Sequence, residues 1–278
     1  NKQIRTLFFN VCQNFGDMLN IAIVRDLFGR EIVYSNEKKC EAVFIGSQLQ
    51  LFTRQRLHIF RLARKYLRRP VRVWGTGFIE DEIPGYTKLF RKFNVSAIRG
   101  KYSRDRMRKY TNQTIENIPF GDPGLLASRL IDSTKIKKKY DLGIIAHFVD
   151  SDSDLLNKIK IDNTLIIPTD IQVYDFLEMV ASCRHIISSA MHGLIAADSL
   201  GVPNLRMIMS DEIIGGDYKY NDYYSAFGLN DHPRIDLRTV DEFTDLESIS
   251  RNYKVKPEQV QKICDDLVTA FPYTKGTL

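Results

Sequence analysis

Seven short apolar runs recur along the chain with helical or turn-forming material between them: 4–11 (IRTLFFNV), 41–46 (EAVFIG), 71–77 (VRVWGTG), 95–100 (VSAIRG), 141–148 (DLGIIAHF), 164–169 (TLIIPT) and 185–190 (HIISSA). Strands that alternate with helices pair in parallel, because a crossover helix brings the chain back to the same end of the sheet. Several runs are apolar on consecutive residues, as in strands covered by helices on both faces. The fold class is therefore α/β. Helices are predicted at 16–28, 54–68, 102–110, 151–160, 172–182, 192–200 and 257–270, the last opening with Pro257 and Glu258. The lysine-rich stretch IDSTKIKKKY at 131–140 interrupts the alternation. It divides the 278 residues into an expected N-terminal domain (1–134) and C-terminal domain (135–278), with helix 257–270 packing back on the first.

In open parallel sheets ligands bind beyond the carboxyl ends of the strands, so the loops after each run are where chemistry is sought. The richest is SSAMHGLIAADSLGVP at 188–203, which puts His192 and Gly193 at a predicted helix start. The first N–H groups of a helix lack intrahelical partners and lie at the positive end of its dipole, which suits a phosphate or carboxylate. An isolated histidine there is also at home as an ordinary packed residue. After the first run, NFGDMLN offers Asn14, Gly16 and Asp17 as the makers of a tight loop into a helix. Gly46-Ser47 follows the second run, and Gly75-Thr76-Gly77 ends the third. Arg99 and Ser103, one helical turn apart, follow the fourth, and His147 with Asp150 the fifth.

A net charge of +6 and a pI near 9.0 fit an anionic substrate, a membrane surface or nucleic acid. The segment 54–70 (RQRLHIFRLARKYLRRP) reads as a basic amphipathic helix, either a solvated outer face or a patch for anionic lipid headgroups. No RNA-recognition signature, zinc finger or paired aromatic platform accompanies the charge, so nucleic acid is not the expected partner. Cys12, Cys40, Cys183 and Cys264 are far apart with no C-x-x-C spacing, and read as reduced thiols in a cytoplasmic protein. No run is long enough to span a bilayer, and the start lacks the apolar region of a signal peptide. VDSDSD at 149–154 fails the calcium-loop pattern at Leu155 and Ile161, where Gly and an acid belong, and reads as helix capping. No required metal is expected.

Taken in order, NFGDMLN, RGKYS, GDPGLL (121–126), IIAHFVD (144–150), SSAMHGLIAADSLGVP and YKYNDYYSAFGL (218–229) resemble the polysaccharide pyruvyltransferases over nearly the whole chain. Two departures are Gly46-Ser47, in place of a fuller glycine-rich loop, and Ala146, where a proline commonly precedes the histidine. The resemblance implies two Rossmann-like domains facing a cleft, the GT-B-like arrangement. It also implies transfer of pyruvate from phosphoenolpyruvate to sugar hydroxyls as a ketal with release of phosphate, in a bacterial surface polysaccharide or its lipid-linked precursor. Phosphoenolpyruvate is then a donor substrate, and no cofactor is implied. The donor-site Arg, His and Lys correspond to Arg99, His192 and Lys219, with Asn14, Ser103 and Gly193 as further substrate contacts.

Such chemistry needs cations and backbone donors gathered around a small dianion, a proton for the enol methylene, and an acceptor for a hydroxyl proton. His192 is the expected general acid, with Asp17 or His147 as base or orienting group. If the acceptor is lipid-linked, 54–69 would rest on the inner face of the membrane. Two other readings stay open at this point: a nucleotide-sugar glycosyltransferase of the same architecture, and a non-catalytic module binding anionic lipid or another polyanion.

Overall fold

The computed structural model describes residues 3–9, 14–54, 68–83, 85 and 88–274. Two five-stranded sheets, both wholly parallel, account for most of it. The first contains β1 (Ile4–Thr6), β2 (Ile32–Tyr34), β3 (Ala42–Val43), β5 (Val71–Trp74) and β7 (Phe93–Ala97) in the order β2-β1-β3-β5-β7. The second contains β8 (Tyr140–Ile145), β9 (Thr164–Ile166), β10 (Cys183–Ser188), β11 (Asn204–Ile208) and β12 (Arg234–Asp236) in the order β12-β11-β10-β8-β9. Renumbered within each half, both sheets have the doubly wound order 2-1-3-4-5, so each has a switch point between its first and third strands. The α/β expectation and the pair of Rossmann-like sheets hold. A separate antiparallel pair joins β4 (Thr53–Arg54) to β6 (Lys88–Leu89).

Seven helices are described: α1 (Phe15–Phe28), α2 (Lys101–Met107), α3 (Val173–Ala181), α4 (Met191–Ser199), α5 (Tyr218–Ser225), α6 (Glu247–Asn252) and α7 (Pro257–Thr269). Adjacent strand residues face opposite layers, which is why consecutive apolar residues are needed. Ile186 joins a central cluster shared with Ile4, Trp74, Leu19, Leu194 and Leu267, while Ile187 joins an outer cluster with Leu142, Leu205 and Leu237. Val43, Val73 and Val95 face a third cluster, with Phe52 and Phe78, on the far side of the first sheet.

The central cluster is continuous from one sheet to the other. A 3-10 segment, Pro123–Arg129, lies within it, started by the Asp122 side chain accepting from Gly124 N–H at 2.9 Å. Helix α7 closes over the first sheet. The Trp74 indole N–H donates to the Leu267 carbonyl at 2.9 Å, and Phe271 stacks on Phe28 with ring centroids 3.8 Å apart. The segment 131–139 is largely exposed and carries a short 3-10 turn, Ser133–Lys135, before the second sheet begins.

Several expected elements differ. The helix expected at 151–160 is replaced by one 3-10 segment, Asp154–Lys158, capped by Ser153 accepting from Leu155 N–H, with another, Phe148–Asp150, just before it. Strands β2, β11 and β12 and helices α5 and α6 were not among the elements expected. Most of the basic segment 54–69 lies outside the described residues, as does Cys12; Arg54 ends a short strand. Cys40, Cys183 and Cys264 are buried free thiols. No described helix is long and apolar enough to cross a membrane.

Candidate functional site

The switch points of the two sheets face one another across a cavity of about 510 Å³. Its walls are the loops that leave the strands' carboxyl ends: Phe9, Asn14 and Asp17 after β1, Gly46 and Ser47 after β3, His147 and Phe148 after β8, and Ala190 to Gly193 after β10. Lys219, on α5, adds a cation to the lining.

Each loop is held for a definable reason. Asn14 starts α1 by accepting from Gly16 N–H at 2.9 Å, and Asp17 ties the preceding loop down by accepting from Phe9 N–H at 2.9 Å. Phe15 donates its N–H to the Thr169 carbonyl of the other half at 2.7 Å and stacks on Phe176, centroids 3.9 Å apart. The start of α1 is therefore docked against the second sheet. The His192 imidazole lies directly on Gly16: a β-carbon there would come within 2.2 Å of Nδ1. Helix α4 begins after Ala190, which has no side-chain oxygen to cap it, so its first amides are left without that competitor.

Lys219 is only 8% exposed. Among the described residues no carboxylate pairs with it, and its Nζ lies over the Tyr220 ring at 5.5 Å. Burial, then the charges of Arg99 and Arg206, push its ammonium down to about 8. His192 Nε2 is likewise buried without a partner. Burial, then Arg99, Lys219 and His147, drive this imidazole to about 3, so in the protein alone it is neutral at pH 7. That departs from the protonated acid expected from sequence, because burial first and the neighbouring cations second disfavour the imidazolium, with no anion among the described residues offsetting them. His147 is pushed to about 4, mainly by burial, and its Nδ1 accepts from Val149 N–H at 3.4 Å, which leaves the neutral ring's proton on Nε2. Burial raises Asp17 to about 7, the Phe9 amide opposing only in part. Asp17 is thus a carboxyl that gives or takes a proton near neutrality.

Arg99 and Ser103 correct the sequence reading. Neither lines the cavity, and both are fully buried. Arg99 Nε donates to Asp222 Oδ2 at 2.9 Å, Nη1 to Ser47 Oγ at 2.7 Å and Nη2 to the Phe78 carbonyl at 2.5 Å. Ser103 donates its hydroxyl to the same Asp222 oxygen at 2.6 Å, and its N–H to Oδ1 at 2.8 Å. A bare guanidinium at the wall would be costly without a counter-ion, and Asp222 supplies one. The charge of Arg99 still reaches the site, since it lowers both His192 and Lys219. Asn14, Asp17, His147, His192, Gly193 and Lys219 are brought together around the cavity.

Sequence reasoning missed Asp222 as the partner of Arg99, and it missed the support behind Lys219. There Arg206 lies over the Tyr220 ring at 3.8 Å and bonds Asp217 at 2.5 Å and His232 at 3.0 Å. The mouth of the cavity was also missed: Phe9, Leu51, Phe148 and Ile214 line it while remaining 48%, 48%, 55% and 65% exposed. Glu80 and Glu212 add acidic groups to the lining. Among the described residues no group of three His, Cys, Asp or Glu is placed to hold a metal ion.

Comparison with known families matches residues 4–211 to the model of the polysaccharide pyruvyl transferases. The chain belongs to the polysaccharide pyruvyl transferase family. The matched span takes in every cavity residue named above except Glu212, Ile214 and Lys219. Transfer of a pyruvyl group to a polysaccharide is accordingly the general activity of this chain's family. The chain is also similar to uncharacterized protein L143 of Acanthamoeba polyphaga mimivirus, 28% identical over 236 residues, which is 82% of this chain and 76% of that protein. Among solved structures, that of a functionally uncharacterized protein from Klebsiella pneumoniae subsp. pneumoniae aligns with a TM-score of 0.45 at 12% identity, covering 82% of this chain and 90% of that one.

Proposed function

We propose that this pyruvyl transferase takes phosphoenolpyruvate as donor and closes a pyruvate ketal on two hydroxyls of one sugar, releasing phosphate. The observation that carries the reading is Lys219, a buried ammonium lining the cavity with no carboxylate partner among the described residues. An unpaired buried charge is expensive, and an anionic substrate supplies what the fold withholds. The uncapped start of α4 adds to the same demand, and the unpartnered Nε2 of His192 is free to accept a proton.

The chemistry balances with the groups at hand. Asp17, poised near 7, donates its proton to the enol methylene, which becomes a methyl group and leaves the adjacent carbon cationic. A sugar hydroxyl adds its oxygen to that carbon and gives its proton to neutral His192. The carbon–oxygen bond to phosphate then breaks, and the phosphate leaves carrying the electron pair. The second hydroxyl closes the ring of the ketal and returns a proton to Asp17, while His192 passes the first hydroxyl's proton to the departing phosphate. His147 offers Nε2–H as a hydrogen-bond donor. Glycosides enter past Phe9 and Phe148, whose exposed rings suit the apolar face of a sugar. The acceptor as part of a bacterial surface polysaccharide, and contact with a membrane face through 54–69, belong to this proposal.

The test is phosphate release from phosphoenolpyruvate across a panel of glycosides, with product masses recorded. Acceptor-dependent release and a product heavier by one pyruvate ketal are expected. Stabilisation against heat by a nucleotide sugar, with none by phosphoenolpyruvate, would overturn the reading.

A further inference from the structure

Beside Arg99, at the cavity wall, one hydroxyl donor is left without an acceptor among the described residues. Ser47 Oγ accepts from Arg99 Nη1 at 2.7 Å. A serine hydroxyl has one hydrogen to give, and with Arg99 as the donor that hydrogen goes elsewhere. Among the described residues no acceptor takes it. Ser47 lines the same cavity as Lys219 and His192.

The loop that carries Ser47 is fixed on both flanks. Thr76 Oγ1 accepts from Gln48 N–H at 3.1 Å and donates to the Gly46 carbonyl at 2.7 Å, while Gly77 N–H donates to that carbonyl at 3.1 Å. Arg99 in turn is fixed by Asp222 and the Phe78 carbonyl. The chain thus builds a rigid relay from a buried guanidinium to a hydroxyl at the cavity wall.

We infer that Ser47 is a direct anion-binding residue of the donor site, its hydroxyl donating to a phosphoryl or carboxylate oxygen, and that Arg99 is the positioning residue behind it. The inference deepens the phosphoenolpyruvate reading and rests on it for the ligand's chemical class. A hydroxyl whose oxygen is already bonded to a guanidinium is a stronger donor than a free one. The arrangement therefore passes the influence of Arg99 to the ligand without exposing a guanidinium that Asp222 must neutralise.

Ser47→Ala and Ser47→Thr, compared with wild type, test this by calorimetric titration with inorganic phosphate, pyruvate and phosphoenolpyruvate, together with steady-state pyruvyl transfer. Ser47→Ala is expected to weaken phosphoenolpyruvate binding about 10-fold or more and to raise its KM in proportion, with the glycoside KM unchanged. Ser47→Thr, which keeps the hydroxyl, restores both. The inorganic phosphate and pyruvate titrations tell which of the two anionic groups the hydroxyl meets. A merely structural serine would lower the thermal midpoint of the protein alone and leave the phosphoenolpyruvate KM in place, and that result overturns the inference. Ser47-dependent phosphate binding without acceptor-dependent transfer leaves the anion site standing and sinks the pyruvyl reading. Transfer with an unaltered KM in Ser47→Ala does the reverse, and a wild-type protein that binds none of the three anions removes both.

Discussion

Lys219 and Asp17 make ligand binding a matter of pH. Asp17 loses its proton as pH rises through about 7, placing a carboxylate beside the donor anion, and Lys219 loses its charge through about 8. Both changes oppose an anion, so affinity for phosphoenolpyruvate is expected to be highest below 7 and to fall across 7–8. Lys219→Met should remove the upper limb and Asp17→Asn the lower one in a thermal-shift titration; the ligand's own ionisation is common to all variants and cancels between them. His192→Ala is expected to cut turnover by about 10²-fold or more with the fold intact, as for a lost proton-transfer group. Near-normal turnover would remove His192 from the chemistry. These residue types were legible in the sequence from the order of the motifs, but their states were not. Nothing local to RGKYS announces that Arg99 will meet Asp222, 123 residues away, or that an imidazole at a helix start will be surrounded by cations.

The elements that carry these residues meet so closely that two glycines stand in for side chains. Gly16 receives the His192 ring, and a β-carbon there would collide with it. Gly16→Ala is expected to lower turnover by about 10²-fold through displacement of the ring, with secondary structure retained by circular dichroism. Gly100, where α2 begins, sits under the backbone of α5: a β-carbon would fall 1.7 Å from the Asp222 carbonyl oxygen. Gly100→Ala must push α2 off α5, and a loss of at least about 1–3 kcal/mol in denaturant unfolding is expected. Helices with an apolar stripe, such as α3 and α7, could be read directly from spacing. Helix α5 could not: its tyrosines, Lys219 and Asp222 have no apolar period, and their burial comes from Arg206, His232 and Arg99 in distant segments. Strand β11 hid for a related reason. Its buried Arg206 looks like a surface residue until Asp217 and His232 are brought beside it.

At the scale of the molecule, the apolar interior runs unbroken between the two sheets, and α7 seals the first of them although it is the last of the described helices. Unfolding is therefore expected to be a single transition, with the fluorescence of Trp74, the one tryptophan, coincident with far-ultraviolet circular dichroism. Separate transitions would show that the halves are independent. Leu267→Ala, at a fully buried position where α7 meets the central cluster, should cost about 2–5 kcal/mol and shift both signals together. The alternation of apolar runs made the parallel sheets legible, but the docking of α1 on the second sheet depends on Phe15 meeting Phe176 and Thr169, a pairing no periodicity encodes. That docking bears on turnover. A jaw-like swing of one half away from the other would have to unstack those two rings, break the hydrogen bond from Phe15 N–H to the Thr169 carbonyl and part Arg99 from Asp222. Sugar and product are then expected to pass through the mouth between Phe9 and Phe148 without an opening of the two halves.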